Sequence, residues 1–443
     1  DKVSTGYTAK FSLNNTKLHI VPRTISTFYL RKRDDASNAV QASDLQPMTK
    51  LCGSETLALT GTSTSSDANV GVKTVNTGGF TLNDQAGANA SSGGLASNYI
   101  LSGGTHQLTI NQRPLNATLA RQYDGTTNAA GSDLSSFDAL QGGETLTLSG
   151  SGTAANDNVA NGISVSSLGS LALVNGTGLA SNYSLNSAAI NITQRVLNSS
   201  GSKTYDANTN ALAADITLSN LVSGEALNHS GTASISSANA GSYTITNLAG
   251  ITIADGSGGT ASNYTLTGGT HNFTVNPKVI SLSGSRLYDA TTDAVASDLT
   301  TISGLVGSET LNLSGTGSVA NANVASNKTV TLGTLALADN SGLAANYTLS
   351  GGTHQLTVNQ RPLAATIARQ YDGTKTAAGS DLSSFDALQG GETLTLSGSG
   401  TVGDENVANG QAVTLGTLGL VDGTGLASNY SLNSASLNIT ERV

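Results

Sequence analysis

Residues 97–125 read SNYILSGGTHQLTINQRPLNATLARQYDG, and residues 345–373 repeat them as ANYTLSGGTHQLTVNQRPLAATIARQYDG. Apolar and polar residues alternate on both sides of a Gly-Gly turn, and the stretch then runs through Arg-Pro to Tyr-Asp-Gly. Alternation with a period of two is typical of half-buried β-strands. We therefore interpret the stretch as the end of one structural module and the beginning of the next.

The chain repeats itself with a period of about 83 residues, which indicates a repeat architecture. Two pairs of residues keep this period, and we take their tyrosines and aspartates as structural repeat positions. The Asn-Tyr pair places its tyrosine at Tyr99, Tyr183, Tyr264, Tyr347 and Tyr430. The Tyr-Asp pair lies at Tyr123-Asp124, Tyr205-Asp206, Tyr288-Asp289 and Tyr371-Asp372. A Glu before an alternating run also recurs, at Glu55, Glu144, Glu225, Glu309 and Glu392.

The period divides the chain into predicted modules 1 (23–113), 2 (114–195), 3 (196–277), 4 (278–361) and 5 (362–443), preceded at 1–22 by the last hairpin of an earlier module. Module 1 diverges, since Asp34 and Asp35 stand where the others have Tyr-Asp. Residues 129–153 recur unchanged at 377–401, three modules later. The missing initial Met and the end at a module boundary favour a segment of a longer array.

Composition limits the classes of function. Only 11% of residues are charged and the net charge is −9, which argues against general affinity for nucleic acid or anionic membranes. No apolar run approaches the roughly 18 residues that span a bilayer, so we expect no membrane insertion in this segment. Cys52 is the single cysteine, which excludes a disulfide scaffold and a cysteine-based metal site. Aromatic residues make up 4%, so modules of this size should be marginal alone and support one another.

The fold that these patterns predict is all-β: a tandem array of Ig-like antiparallel β-sandwich modules forming an elongated rod. In module 4, apolar residues alternate through SETLNLSG, KTVTLGTLALAD, NYTLSGG and HQLTVNQR. The run DNSGLAANYTL places Tyr347 after a corner, much as Ig-like domains place a core tyrosine whose hydroxyl caps a loop carbonyl. A right-handed β-solenoid is the alternative, although its self-similarity near twenty residues is not found.

Four in-register copies carry a family resemblance. RQYDGTTNAA at Arg121, KTYDANTNA at Lys203, RLYDATTDA at Arg286 and RQYDGTKTAA at Arg369 are followed by runs such as GGETLTLSGSGT and closed by runs such as ASNYSL. They resemble the YDG repeat of filamentous-haemagglutinin-like proteins, which are bacterial surface adhesins exported by two-partner secretion. The resemblance covers the chain from about Pro22 and implies an extracellular location at an outer-membrane-associated cell surface. It brings no catalytic residues.

Few residues are candidates for chemistry. His106, His271 and His354 occupy one repeated position without convergent partners, and we interpret them as polar residues beside the Gly-Gly turn. Asp124, Asp133 and Glu144, with their repeats, are calcium-ligand candidates, but no EF-hand-like run accompanies them. The Asp of Tyr-Asp more simply predicts an Asx-turn.

The sequence bears on two covalent modifications. Sequons for N-glycosylation include Asn116, Asn182, Asn191, Asn263, Asn346, Asn429 and Asn438. Chance produces many in a chain so rich in Asn, Ser and Thr, but the resemblance keeps glycosylation open, since some adhesins of this general class are glycosylated at such sites. A Lys-Asn cross-link within every module is excluded, because residues 114–201 contain no lysine.

The leading functional hypothesis is a structural stalk or fibre segment of an adhesin, projecting a distal adhesive domain in surface attachment and biofilm formation. Its partners would be the neighbouring modules, and we expect no cofactor, no nucleic acid and no enzymatic activity. The alternative is that the repeats themselves bind polysaccharide or self-associate between cells. The scarcity of Phe and Tyr counts against a sugar site, while exposed strand edges leave self-association open.

Overall fold

The computed structural model describes residues 21–44, 46, 48, 51–85, 94–101 and 105–443. These residues form short strands, turns and three-residue 3₁₀ helices, without an α-helix among them. The prediction of an all-β fold is confirmed. Of the hairpin predicted for residues 1–22, all but residues 21 and 22 lie outside the described residues.

The chain divides into two compact units. The first comprises Asp1–Leu197, Asn220–Asn228 and Ala254–Gly268, and the second comprises Asn198–Ser219, His229–Ile253 and Gly269–Val443. Predicted modules 1 and 2 therefore belong wholly to the first unit, modules 4 and 5 belong wholly to the second, and module 3 contributes to both.

The strands of predicted modules 1 and 2 follow one order along the chain. In module 1 they are β1 (Arg23–Thr24), β2 (Tyr29–Arg33), β3 (Ala39–Gln41), β4 (Leu57–Thr64), β5 (Gly71–Thr74), β6 (Phe80–Asp84), β7 (Tyr99–Ile100) and β8 (Gln107–Asn111), with 3₁₀ helices Ala42–Asp44 and Ala96–Asn98. In module 2 they are β9 (Arg113–Gln122), β10 (Asn128–Ala130), β11 (Leu134–Phe137), β12 (Leu146–Ser149), β13 (Ser151–Ala154), β14 (Ala160–Ser167), β15 (Ala172–Asn175) and β16 (Tyr183–Thr193), with 3₁₀ helices Gly131–Asp133 and Ala180–Asn182.

The later modules keep the same order with some strands interrupted. Module 3 has β17 (Arg195–Val196), β18 (Asn198–Thr204), β19 (Asn210–Leu212), β20 (Ile216–Ser219), β21 (Leu227–Ile235), β22 (Gly241–Asn247), β23 (Ile251–Asp255), β24 (Tyr264–Thr265) and β25 (His271–Asn276), with 3₁₀ helices Ala213–Asp215 and Ala261–Asn263. Module 4 has β26 (Lys278–Val279), β27 (Ser281–Leu287), β28 (Asp293–Val295), β29 (Thr301–Ser303), β30 (Asn312–Ser314), β31 (Thr316–Ser318), β32 (Ala325–Thr329), β33 (Ala336–Ala338), β34 (Tyr347–Thr348) and β35 (His354–Asn359), with 3₁₀ helices Ala296–Asp298 and Ala344–Asn346. Module 5 has β36 (Arg361–Gln370), β37 (Thr376–Ala378), β38 (Leu382–Phe385), β39 (Leu394–Ser397), β40 (Ser399–Val402), β41 (Ala408–Thr414), β42 (Gly419–Asp422) and β43 (Tyr430–Thr440), with 3₁₀ helices Gly379–Asp381 and Ala427–Asn429.

Modules 2 and 5 show the topology most completely. Module 2 forms a six-stranded sheet in the order β10-β13-β14-β16-β9-β11 and a separate pair β12-β15. Module 5 repeats it as β37-β40-β41-β43-β36-β38 and β39-β42. The first and last strands of each module pair in parallel, β9 with β16 and β36 with β43. The prediction of antiparallel modules did not include this pair, because alternation indicates which face a residue occupies and not the direction of the neighbouring strand.

The core of module 5 lies along this parallel pair. Ala365 and Ile367 of β36 and Leu437 and Ile439 of β43 point into one cluster of buried residues. The alternation predicted for module 4 is likewise confirmed, since Leu356 and Val358 are buried while Thr357 between them is only half-buried. Burial of these small aliphatic side chains stabilises each module by about 25 cal/mol for each Å² of apolar surface removed from water. The finer prediction of two facing Ig-like sheets stays a prediction.

Candidate functional site

The repeated run that ends in Asn-Tyr builds a short corner at the start of the long last strand. In module 5, Asp422 Oδ1 accepts a hydrogen bond from the Ala427 N–H at 2.6 Å and so opens the 3₁₀ helix Ala427–Asn429. The chain becomes extended at Tyr430. Asn429 and Tyr430 are both buried, at 1% and 2% exposure. The corner therefore fixes two adjacent buried polar side chains, and these make the contacts described next.

Glu392 binds two tyrosines from two different modules. The Tyr430 hydroxyl of module 5 donates to Glu392 Oε2 at 2.6 Å, and the Tyr288 hydroxyl of module 4 donates to Glu392 Oε1 at 2.6 Å. The two rings meet edge to face with centroids 5.2 Å apart. Hydrogen bonds to a charged group contribute about 1.5–3 kcal/mol each and an aromatic pair about 0.5–1.5 kcal/mol. We call this arrangement the Tyr–Glu–Tyr contact.

The same contact recurs at two other junctions between consecutive modules. Glu225 of module 3 accepts from Tyr123 at 2.7 Å and from Tyr264 at 2.6 Å. Glu309 of module 4 accepts from Tyr205 at 2.6 Å and from Tyr347 at 2.5 Å. Each time, the tyrosine of the Tyr-Asp pair reaches into the following module. The junction between modules 2 and 3 lies in the first unit, and the other two lie in the second.

Burial is the main cause that raises the pKa of these tyrosines, and the hydrogen bond to glutamate raises it further. The pKa rises to about 12 for each of Tyr205, Tyr264, Tyr288 and Tyr430. All four hydroxyls therefore stay protonated, and can donate, throughout the physiological range.

The expectation for the corner tyrosine is only partly met. Its ring packs in the core, as expected, but its hydroxyl donates to glutamate and accepts a backbone N–H, for example that of Gln389 at 3.0 Å. The expectation drawn from Ig-like domains did not anticipate a carboxylate. Gly425 leaves room for the Glu392 carboxylate, because a Cβ at this position would lie 2.7 Å from Glu392 Oε2.

In modules 2 to 5, the asparagine beside the corner tyrosine clamps the preceding module. Asn429 Oδ1 accepts the Val324 N–H at 2.9 Å, and Asn429 Nδ2 donates to Asn323 Oδ1 at 3.0 Å. Equivalent clamps are made by Asn182, Asn263 and Asn346. We call this the asparagine clamp. These four sequons are thus buried structural positions; of the other three predicted sequons, Asn116 is exposed and Asn191 and Asn438 are half-buried.

The Gln-Arg seam between modules contacts both sides. Gln360 Nε2 donates to the Ser428 carbonyl of module 5 at 3.1 Å, and Arg361 Nε donates to the Tyr288 carbonyl of module 4 at 2.6 Å. At the seam between modules 3 and 4, Pro277-Lys278 replaces Gln-Arg. The arginine of the seam thus fixes the backbone of the tyrosine whose hydroxyl bonds the glutamate of the following module.

The aspartates of the Tyr-Asp pairs shape this turn. Asp124 Oδ1 accepts the Thr126 N–H at 2.9 Å, which confirms the predicted Asx-turn, and the carboxylate pairs with Arg121 three residues earlier. Asp206, Asp289 and Asp372 pair in the same way with Lys203, Arg286 and Arg369. In module 1 the Lys32–Asp35 pair takes this place at 2.9 Å.

The structure does not bring the three calcium-ligand candidates together. Asp124 lies on the Asx-turn, Asp133 ends a 3₁₀ helix, and Glu144 accepts the Tyr183 hydroxyl at 2.6 Å. No cluster of three His, Cys, Asp or Glu side chains that could hold a metal ion occurs in the described part of the chain.

The three repeated histidines are buried and bond within their modules. His106 Nε2 contacts the Leu101 carbonyl, His271 Nδ1 contacts Ser199 Oγ, and His354 Nε2 contacts the Leu349 carbonyl. Cys52 is half-buried and lies 3.3 Å from Arg23 Nη1.

Sequence reasoning marked the tyrosines and glutamates as repeat positions but missed that they meet across junctions. A constant separation was the available signal, since the tyrosine and its glutamate are 104 residues apart at two junctions and 102 at the third.

Comparison with known families gives one result. The family model described as the YDG domain matches the chain four times in tandem, at residues 104–192, 189–272, 270–355 and 353–437. No curated protein matches the chain. Among the described residues, no helix is long and apolar enough to cross a membrane.

Proposed function

The chain belongs to the YDG domain family, and we propose that it is a structural stalk or fibre segment of an extracellular bacterial adhesin. In this role it projects a distal adhesive domain from the cell surface and takes part in attachment and biofilm formation. The chain itself has no catalytic role. Its partners along the stalk are its own neighbouring modules.

The observation that supports this proposal most is the recurrence of the Tyr–Glu–Tyr contact. At each of three junctions a half-buried glutamate joins one tyrosine of its own module to one of the preceding module. The asparagine clamp adds a second attachment to the preceding module's backbone, at a separate loop. Two attachments oppose both bending and twisting, whereas one would leave a hinge. A spacer that must hold an adhesive domain away from a surface needs such stiffness.

The setting comes from the resemblance to filamentous-haemagglutinin-like repeats. Repeating an all-β module lengthens the stalk without adding reactive groups. Low charge and polar turns suit an exposed extracellular surface.

The experiment that tests the proposal compares the whole chain with a shortened one by small-angle scattering. Deleting residues 114–361 joins Arg113 to Pro362, which restores the Arg-Pro seam and places 377–401 where the identical 129–153 stood. A rod of five modules whose strands reach about 20 Å each would exceed about 100 Å and have a radius of gyration near 30 Å or more. A compact 443-residue globule would have a radius of gyration of about 22 Å.

The deletion sharpens this test. For a rod, the radius of gyration falls in proportion to module number, to roughly two-fifths of the full value, since two modules of five remain. For a compact globule the scaling with length predicts a fall only to about three-quarters. A radius near 22 Å with the smaller fall contradicts the stalk.

A second candidate is binding by the repeats themselves, to polysaccharide or to identical chains. The observation that favours it is a recurrent exposed leucine two residues before the Ser-Asn or Ala-Asn of the corner, at 38–44% exposure. This leucine occurs at Leu95, Leu179, Leu343 and Leu426. Beads coated with the chain should aggregate, and Leu179→Ser with Leu343→Ser and Leu426→Ser should reduce the aggregation; a glycan array tests sugar binding. If the beads stayed dispersed and no glycan on the array bound, the binding candidate would be wrong and the stalk would be the remaining proposal.

A further inference from the structure

The junction between modules 1 and 2 differs from the others at one residue. Asp34 occupies the place that Tyr123, Tyr205 and Tyr288 occupy elsewhere. Two contacts establish the equivalence: Arg113 Nε donates to the Asp34 carbonyl at 2.8 Å, as Arg361 does to that of Tyr288, and Lys32 pairs with the next residue, Asp35. A carboxylate therefore stands where three other junctions place a phenol.

The Asp34 side chain is fully buried and lacks hydrogen-bond partners. Its exposure is 0%, and neither Oδ1 nor Oδ2 has a partner in the described structure. The Ala36 N–H lies near enough to lower the pKa somewhat, but it does not reach hydrogen-bonding geometry. An isolated buried carboxylate is costly, and such groups take up a proton or a counter-charge instead.

The glutamate of this junction is Glu144. Its Oε2 accepts the Tyr183 hydroxyl at 2.6 Å, so one side of the Tyr–Glu–Tyr contact is complete. At the position of the missing tyrosine stands Asp34, which is near enough to Glu144 for the charge of Glu144 to raise the pKa of Asp34. The charged groups that act on Asp34 are Glu144 of module 2, Asp35 of its own turn and Arg113 of the seam.

We propose that Asp34 and Glu144 share one proton, and that this proton stabilises the junction between modules 1 and 2 in acid. A proton taken up from solvent by Asp34 makes its carboxyl a donor. The O–H then bonds the second oxygen of Glu144, which remains ionised and still accepts from Tyr183. The protonated pair thus replaces the missing tyrosine hydroxyl. Ionised, the two carboxylates repel and the junction loosens.

The direction of the pH effect follows from the proton balance. Burial and then Glu144 raise the pKa of Asp34 above its ordinary value of 3.8. The folded junction therefore binds the proton more tightly than the unfolded chain does. The stabilisation is complete below pH 3.8 and is lost as the pH rises through the raised pKa of the folded state. Exposed aspartates such as Asp67 and Asp404, whose pKa is lowered, act in the opposite direction.

Amide hydrogen exchange on the full chain tests the proposal without interference from those groups. The Val70 and Gln141 N–H groups report on this junction, since they donate to Asn182 and Tyr183. Their protection factors should fall between about pH 4 and pH 7.5, by roughly tenfold for each unit by which the pKa of Asp34 is raised. In Asp34→Asn, whose amide can donate to Glu144 at every pH, protection should change less than about twofold, within the usual scatter of surface effects. Equal pH dependence in both proteins would overturn the proposal.

Introducing the aspartate–glutamate pair at a second junction makes the test independent of the packing around Asp34. Tyr123→Asp creates the same pair with Glu225, and the Val159 and Val222 amides should then acquire the acid-stabilised pattern, whatever stability the lost ring costs. Tyr371→Asp is the matched control, because the described structure has no hydrogen bond from the Tyr371 hydroxyl to a glutamate and the side chain is 38% exposed, so it should add no pH dependence. If millimolar calcium restored protection at about pH 7.5 and a chelator removed it, the pair would be a cation site, and the shared proton would be wrong.

Discussion

Glu144 and Glu392 lie in identical local sequence, because residues 129–153 and 377–401 are the same, yet their surroundings differ. Glu392 accepts two tyrosine hydroxyls, one from the preceding module. Glu144 accepts one, from its own module, and its charge acts on the buried Asp34 of the preceding module. The difference comes entirely from the residue that the preceding module delivers. The side chain of the preceding module therefore decides what the repeated glutamate does. A tyrosine lets the glutamate join the two modules, whereas an ionised aspartate repels it.

The largest expected effect removes the delivered tyrosine. Tyr288→Ala should destabilise the junction between modules 4 and 5 by about 3–5 kcal/mol, since a buried ring and a hydrogen bond to a carboxylate are both lost. Tyr371 occupies the same place in module 5 but is 38% exposed, so Tyr371→Ala should cost less than about 1 kcal/mol. Urea unfolding of the full chain, analysed with nearest-neighbour coupling between repeats, measures both. Equal costs would mean that the junction contact contributes nothing.

The next effect should be much larger at Glu392 than at Glu144. Glu392→Gln leaves one tyrosine hydroxyl facing an N–H₂ donor and should cost about 1.5–3 kcal/mol near neutral pH. Glu144→Gln removes a like charge and gives Asp34 a donor, so it should cost much less or stabilise the chain. The same unfolding measurement decides between them, and a loss at Glu144 as large as that at Glu392 would contradict the assignment of Asp34.

A smaller effect is expected at the asparagine clamp. Asn429→Ala removes two hydrogen bonds to module 4 and leaves the Val324 N–H without its acceptor, which should cost about 1–2 kcal/mol. Asn98 begins the same Asn-Tyr pair in module 1 but is exposed, so Asn98→Ala should change stability by less than about 0.5 kcal/mol. Exchange of the Val324 amide would also accelerate in the first variant only. Unchanged exchange there would show that the clamp is dispensable.

The smallest expected effect lies in the residue after Tyr-Asp. Ala207 has φ +62°, a left-handed conformation that is strained for alanine, so Ala207→Gly should stabilise by at most about 1 kcal/mol. The reverse change, Gly125→Ala, should destabilise, because φ is +73° and the new Cβ would lie 2.8 Å from Val222 Cγ1 in the next module. Thermal unfolding of the two variants should shift in opposite directions, and shifts of one sign would contradict this account.

Much of the local structure could be predicted from the sequence. The period, the strands and the Asx-turn at Asp124 all depend on neighbours within a few residues, so their signals lie in short windows. The YDG resemblance likewise depended on contiguous motifs. The spacing of the histidines and of the four clamping asparagines is visible in the sequence. Their burial and the hydrogen-bond partners of the asparagines are not, because both depend on residues far away in the chain.

The sequence by itself determined that this protein is a tandem all-β array, because apolar alternation and turn residues act locally. Only the tertiary structure decided that the first and last strands of a module run parallel, and that Tyr288 bonds Glu392 of the next module. The physical reason lies in the repeat: when every module carries both a tyrosine and a glutamate, contacts within a module and between modules leave the same pattern. Asp34 breaks that pattern, and only its buried, unpartnered carboxyl reveals what the break means.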